Sequence, residues 1–291
     1  MMKKFITHVM RGLLVLALII IVIHISAYAQ EAAAVSADTG GDAGEFASVR
    51  DNEAVYVETD KAPNGVVTLH YDAPLENSVV AFVTNSTALY MYSIRSSVTN
   101  IPLQMGDGAY EINVYEKMED TKYIKILIAN VVVDGLRDEE VYTNSIQMVD
   151  YEGYKDVIDE INKLLADAQG DREKVEIVYN YIITNYSYST EKAEGVRAEY
   201  LPDLRDFFTT GKGICYDYAS LFASVLRSNG IPTKLLMGYR NDVEKYHSWN
   251  EVLLDGKWLA IDTSCDAQLV QAGTAVEMIK DSSIFSYTRE Y

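Results

Sequence analysis

Three residue types in one order carry the chemistry this chain can do. Cys215 lies in Gly211-Lys212-Gly213-Ile214-Cys215-Tyr216-Asp217-Tyr218-Ala219, His247 in Tyr246-His247-Ser248-Trp249-Asn250-Glu251, and Asp262 in Trp258-Leu259-Ala260-Ile261-Asp262-Thr263. A thiol beside an imidazole, with a carboxylate to hold the ring, is the set needed for nucleophilic acyl transfer. Taken singly, each has a plainer reading. A cysteine at an apolar helix start is commonly a small buried hydrophobe, and a histidine or aspartate at a strand end commonly satisfies only itself. Outside the N-terminal segment the only histidines are His70 and His247, and His247 alone aligns with an aspartate across a predicted hairpin. The joint arrangement is what favours chemistry.

The elements that must position the set follow from periodicity. From Tyr216 to Asn229 apolar residues fall at 218, 219, 221, 222, 225 and 226, a one-sided helical stripe stopped by Gly230 and Pro232. Gly211 and Gly213 allow a sharp entry, so Cys215 is expected in or just before the first turn. There, free N–H groups and the positive end of the dipole favour a thiolate and could also hold an oxyanion. Asp255-Gly256 is a two-residue hairpin signal that pairs Leu254 with Lys257. Extended outward, the register sets Trp249 opposite Asp262 and His247 opposite Ser264. His247 and Asp262 then become diagonal neighbours on one face, about 7 Å apart at Cα.

These pieces resemble the transglutaminase-like superfamily. The resemblance rests on Gly213-Ile214-Cys215 leading into Asp217-Tyr218-Ala219, Gly230-Ile231-Pro232-Thr233, Gly238-Tyr239, His247-Ser248-Trp249-Asn250-Glu251-Val252, and Trp258 to Asp262. Weaker similarity reaches upstream to Asn185-Tyr186-Ser187-Tyr188 and Tyr200-Leu201-Pro202, so it covers nearly half the chain. It implies a papain-like α+β core with Cys215 as nucleophile, His247 as base and Asp262 as orienting residue. In relatives an upstream aromatic side chain can serve as oxyanion donor, which makes Tyr188 the candidate; a core or rim tyrosine is its plainer reading. The superfamily includes cross-linking enzymes, peptidases, amidases and inactive members, so resemblance alone does not choose the reaction. Calcium supports the animal cross-linking enzymes, and no calcium loop is evident here; Asp38-Thr39-Gly40-Gly41-Asp42 is only an acidic stretch.

Residues upstream form a different texture. Segments 54–58, 66–71, 79–84, 89–94, 110–115 and 123–133 are rich in Val, Ile, Tyr and Thr. They are punctuated by Pro63-Asn64-Gly65, Asp72-Ala73-Pro74 and Gly106-Asp107-Gly108. Six strands in about 95 residues suggest an immunoglobulin-like β-sandwich. Helical periodicity starts near Tyr154 and ends at Gly170, after which Asp171 is expected to cap a second helix. The expected organisation is a signal peptide at 1–29, an acidic linker at 30–51, a β-sandwich at 52–148 and a transglutaminase-like catalytic domain at 149–291. The fold class is therefore α+β.

Composition limits the partners. Lys3, Lys4 and Arg11 precede an apolar run from Leu13 to Ile25, and Ala27-Tyr28-Ala29 offers a cleavage site. This is read as a secretory signal cleaved near Ala29, giving a secreted or cell-surface protein; a membrane is a partner only if the segment is retained. Cleavage removes three positive charges and takes the net charge of the 291-residue chain from −18 to −21. Such acidity argues against nucleic acid and anionic membrane surfaces. No cofactor is expected, and Cys215, His247 and Cys265 lack the paired spacing of a zinc site. The expected substrate is a peptide or protein amide, with hydrolysis favoured over glutamine–amine cross-linking. The sequence leaves the oligomeric state open. The competing class is a non-catalytic surface-binding module closed by a Cys215–Cys265 disulfide.

Overall fold

A computed structural model describes residues 54–72, 78–119, 122–197 and 200–291. The expected signal peptide, its cleavage site and the acidic linker lie outside the described residues, as does part of the turn after Asp72.

The β-rich half begins with β1 (Val55–Glu58), β2 (Val66–Tyr71), β3 (Val79–Thr84), β4 (Leu89–Ile94), β5 (Val98–Pro102), β6 (Gly108–Glu119) and β7 (Lys122–Val133). They form two antiparallel sheets, in the orders β1-β2-β5 and β4-β3-β6-β7. Alternation sets their faces. Along β3, Val79, Ala81 and Val83 are buried while Val80, Phe82 and Thr84 are only half-buried. The sequence does not announce β5. Its Asn100 and Pro102 are residues that strands disfavour, and both are tolerated because β5 is the edge of its sheet.

Beyond them come α1 (Asp138–Val141), α2 (Lys155–Asn162) and α3 (Asp171–Asn185). Asp171 does not cap α3. Gly170, at φ +94°, occupies the capping position, and Asp171 is the first helical residue, where its charge still complements the helix dipole. The chain continues through β8 (Ser187–Tyr188), α4 (Thr190–Gly195), α5 (Leu204–Thr210), β9 (Lys212–Gly213) and α6 (Cys215–Ser228). It then lays down β10 (Thr233–Arg240), β11 (Val243–Leu254), β12 (Lys257–Ile261), α7 (Thr263–Gln271), β13 (Ile279–Lys280) and β14 (Phe285–Glu290). The last five strands make one antiparallel sheet ordered β13-β12-β11-β10-β14.

Helix α6 is more enclosed than a one-sided stripe implies. Leu221, Phe222, Val225 and Leu226 join an apolar cluster with α2, α3, β11 and β12. Ala219 and Ala223 belong instead to the cluster that holds the interiors of both N-terminal sheets. The longer-range polar bonds of α6 hold it in place, although the Ser224 and Tyr218 hydroxyls are buried without a partner among the described residues. Ser220 donates to Met148 O at 2.6 Å, and Arg227 donates to Thr233 O, Asn144 O and Tyr291 O. Among the described residues no helix is long and apolar enough to cross a membrane.

Candidate active site

Cys215 is the first residue of α6, and the backbone before it explains why. Gly211 ends α5 in the left-handed region at φ +64°, a conformation that costs a glycine little. Gly213 is required for space: a Cβ there would lie 2.6 Å from the Phe207 ring and 2.9 Å from Asp217 Cβ. The helix entry is then fixed by Asp217, a fully buried carboxylate whose Oδ2 accepts from Ile214 N at 2.8 Å. Tyr200 OH donates to its Oδ1, and Lys192 Nζ lies 3.0 Å from Oδ2. A buried charge so surrounded is compensated. Cys215 itself is 8% exposed.

The β11–β12 hairpin turns at Asp255 (φ 53°) and Gly256 (φ 72°), both left-handed, as its two-residue turn requires. The expected register holds from Leu254↔Lys257 to Asn250↔Ile261. It goes no further. Strand β12 ends at Ile261, and Asp262 turns out of the sheet to become the N-cap of α7, so Trp249–Asp262 and His247–Ser264 never form as strand pairs. The reason is local. Asp262 Oδ1 accepts from Cys265 N and Ser264 Oγ, both at 3.1 Å, which starts a helix rather than prolonging a strand.

The contact expected from the register is nevertheless made by side chains. His247 Nε2 lies 2.8 Å from Asp262 Oδ2; His247 is 5% exposed and Asp262 fully buried. Burial by itself lowers the His247 pKa, but hydrogen-bonding contacts with Asp262, Cys215 and Cys265 overcome it and raise the pKa well above the ordinary imidazole value. For Asp262, burial pushes upward. The bond to His247, the Cys265 amide and the Arg240 charge outweigh it and hold the carboxyl below the usual range.

Of two further neighbours, the sequence already singles out Cys265 as a possible disulfide partner of Cys215, but it gives no sign of Arg240. Arg240, at the end of β10, donates from Nη1 to Asp262 Oδ2 at 2.7 Å, while its Nη2 reaches Asp242 at 3.1 Å. Its guanidinium lies 5.5 Å over the Phe285 ring; Phe285 stacks on Trp249, and Trp249 on His247. Cys265, one turn into α7, brings Sγ to 3.8 Å from His247 Nε2. Both cysteines are free thiols, and burial raises the Cys265 pKa against the lowering effect of His247. The pairing of Asp262 and Cys265 is in principle readable from the N-cap spacing, whereas nothing local marks Arg240.

Tyr188, on β8, stands at the same place. β8 pairs in parallel with β9, setting Tyr188 opposite Gly213, and the tyrosine lines a cleft of about 450 Å³ together with Cys215, His247, Arg240, Tyr246 and Cys265. Burial, followed by the nearby Cys215 thiol, pushes its pKa to about 12, so it stands as a hydroxyl donor. A thiol, an imidazole–carboxylate pair and a phenol around one open cleft can bind a carbonyl, attack it and move the proton.

Residues 159–263 match the model of the transglutaminase-like superfamily. The chain is 29% identical over 126 residues to the kyphoscoliosis peptidases of Mus musculus and Homo sapiens, a match spanning 40% of this chain and 19% of each relative. The chain thus covers about a fifth of the length of these relatives. Among solved structures, a proposed cysteine protease from Cytophaga hutchinsonii is 16% identical, with 74% of this chain and 84% of that chain covered at a TM-score of 0.38. Red sea bream transglutaminase is 12% identical, with coverage of 68% and 47% and a TM-score of 0.31.

Proposed function

We propose, from the premise that residues 159–263 are a transglutaminase-like core of the cysteine peptidase and acyltransferase kind, that this chain hydrolyses peptide or protein amides through Cys215. The observation that carries the proposal is the 2.8 Å contact between His247 Nε2 and Asp262 Oδ2, beside a cysteine at a helix start.

In the proposed reaction Cys215 Sγ adds to the amide carbonyl carbon as its proton passes to His247. The carbonyl oxygen becomes an oxyanion facing the first N–H groups of α6 and the Tyr188 hydroxyl. His247 returns the proton to the departing amine as the C–N bond breaks, leaving a thioester on Cys215. Water, deprotonated by His247, releases the acid and restores the thiol; a primary amine in its place would give cross-linking. Asp262 keeps the ring oriented and balances its charge throughout. The N-terminal sheets are proposed to be an immunoglobulin-like module, residues 52–148, that presents or recognises substrate. Secretion after cleavage near Ala29 is part of the same proposal and accords with the acidic chain.

The test is a pair of assays on the purified chain, with a peptide mixture and with a fluorescent primary amine plus casein. The expected result is new peptide termini without amine incorporation, abolished by Cys215→Ala, and slower iodoacetamide labelling of Cys215 in His247→Ala. Amine incorporation would transfer the assignment to cross-linking. Neither activity, with labelling unaffected by His247→Ala, would overturn it.

A further inference from the structure

Cys265 has no part in the proposed chemistry, yet its thiol stands against His247. Its Sγ is 3.8 Å from His247 Nε2, and the same nitrogen lies 2.8 Å from Asp262 Oδ2. The three ligand atoms all fall within 4.8 Å of one another. Thiolate, imidazole and carboxylate are the donors zinc takes, and three protein ligands with an open fourth position make a common zinc arrangement. We propose that His247, Asp262 and Cys265 form an inhibitory site for a thiophilic divalent cation, with Zn²⁺ the best fit.

The fold supplies what the spacing conceals. One ligand comes from β11, and the other two are the N-cap and third residue of α7, held together by the bond from Cys265 N to Asp262 Oδ1 at 3.1 Å. In a tetrahedral site with bonds of about 2.0–2.3 Å, ligand atoms stand about 3.3–3.5 Å apart. The sulfur–nitrogen distance therefore needs to close by a few tenths of an ångström, the nitrogen–oxygen distance to open by about half an ångström, and the sulfur–oxygen distance, which lies within 4.8 Å, to close to the same range. The fourth position faces the cleft, which Cys265 lines with Gln268 and Leu269. Arg240 opposes a second cation at Asp262, so the metal must gain enough from thiolate to displace it; Asp242 remains to hold the guanidinium.

Binding to the protonated ring releases the Cys265 thiol proton and the His247 Nε2 proton into solvent. A ring ligated at Nε2 keeps one proton on Nδ1 and can no longer accept the proton of Cys215. Only this inhibitory consequence rests on the proposed catalytic role of His247; the binding itself does not.

The experiment uses Co²⁺ as a spectroscopic probe on the reduced, chelator-treated chain, then Zn²⁺ competition and calorimetry, with Cys215→Ala, Cys265→Ser, Cys265→Ala and His247→Ala alongside. The expected result is a thiolate-to-cobalt charge-transfer band, displaced by Zn²⁺ and retained in Cys215→Ala. It should be lost in both Cys265 variants and in His247→Ala, with Zn²⁺ affinity weakened at least ~10-fold. Circular dichroism checks that each variant is folded, and having two Cys265 variants protects against one that is not. A band lost in Cys215→Ala but kept without Cys265 would put the metal on Cys215 and His247 and overturn the proposal. No band in the wild-type chain would also overturn it. Because Cys215→Ala cannot turn over, failure here is distinct from failure of the acyl-transfer reading.

Discussion

Arg240 and His247 share one carboxylate oxygen: Nη1 of the arginine and Nε2 of the histidine lie 2.7 and 2.8 Å from Oδ2 of Asp262. The carboxylate therefore serves two cations when the ring is protonated, and each weakens the other's claim on it. Removing the guanidinium leaves Asp262 to His247 alone. Arg240→Gln is expected to raise the pH at which His247 loses its proton, seen as an upward move of the acidic limb of the kcat/KM profile, because the ring must be neutral to take the proton of Cys215. It should also cost about 1–3 kcal/mol of stability, because a charge-assisted bond to a buried carboxylate is lost. An unchanged profile in a destabilised protein would make Arg240 a structural clamp only.

Asp262 has two duties that substitution can separate, since it orients His247 and caps α7. Asparagine keeps an oxygen for the Cys265 amide but offers the ring a neutral partner that favours the wrong tautomer. Asp262→Asn is expected to lower kcat by roughly 10³–10⁴-fold. Asp262→Ala should be as inactive and also less stable than Asp262→Asn by about 1 kcal/mol in urea titration, the usual worth of an N-cap.

These two residues mark how far the sequence could be read. The turn at Asp255-Gly256 was legible because two adjacent left-handed residues have a narrow chemical signature, and the register follows from it as far as Ile261. Where β12 stops was not legible, since it depends on Asp262 choosing the amide of Cys265 over a strand partner. The helix of Cys215 was visible in its apolar spacing, but its enclosure was not: that depends on Ala219 and Ala223 joining a cluster with sheets whose last strand ends at Val133, far back in the sequence. Arg240 carries no local pattern at all. Its role comes from a partner 22 residues on and a ring 45 residues on, brought together by the sheet of β12, β11, β10 and β14.

Tyr188 is placed to test the oxyanion reading. It faces the cleft beside Cys215, and its raised pKa keeps the hydroxyl protonated. Tyr188→Phe removes one donor and nothing else. The expected loss is ~10- to 100-fold in kcat with KM nearly unchanged, the pattern of an interaction made in the transition state. A rise in KM alone would instead assign the hydroxyl to ground-state binding.

Asp217 holds the entrance to the cysteine helix from inside. It accepts from Ile214 N and Tyr200 OH and pairs with Lys192. Asp217→Ala leaves these donors facing a void and is expected to cost about 3–5 kcal/mol, measured by urea unfolding. Asp217→Asn retains one acceptor oxygen and the side-chain volume and should cost less. It should still slow alkylation of Cys215 relative to wild type, because the first turn loses its anchor. Alkylation at the wild-type rate would show that the turn holds without the charge.

The paired shifts of His247 and Asp262 give stability opposite pH dependences. The His247 pKa is raised, so its contribution is fully present below the unfolded value of about 6.5 and is lost as pH rises through the raised native value. The Asp262 pKa is lowered, so its contribution is present above about 3.9 and is lost as pH falls through the depressed native value. Wild type minus His247→Gln should therefore be largest near pH 5–6 and shrink at higher pH, by up to ~1.4 kcal/mol per unit. Wild type minus Asp262→Asn should shrink in acid and, because the asparagine also removes the partner that raises the His247 pKa, shrink at high pH as well. Urea midpoints across pH 4–10 measure both. A His247→Gln difference that stays flat from pH 5 to 10 would show that the folded chain gains nothing from holding the imidazole charged, and the two side chains would then meet as a neutral hydrogen-bonded pair rather than as an ion pair.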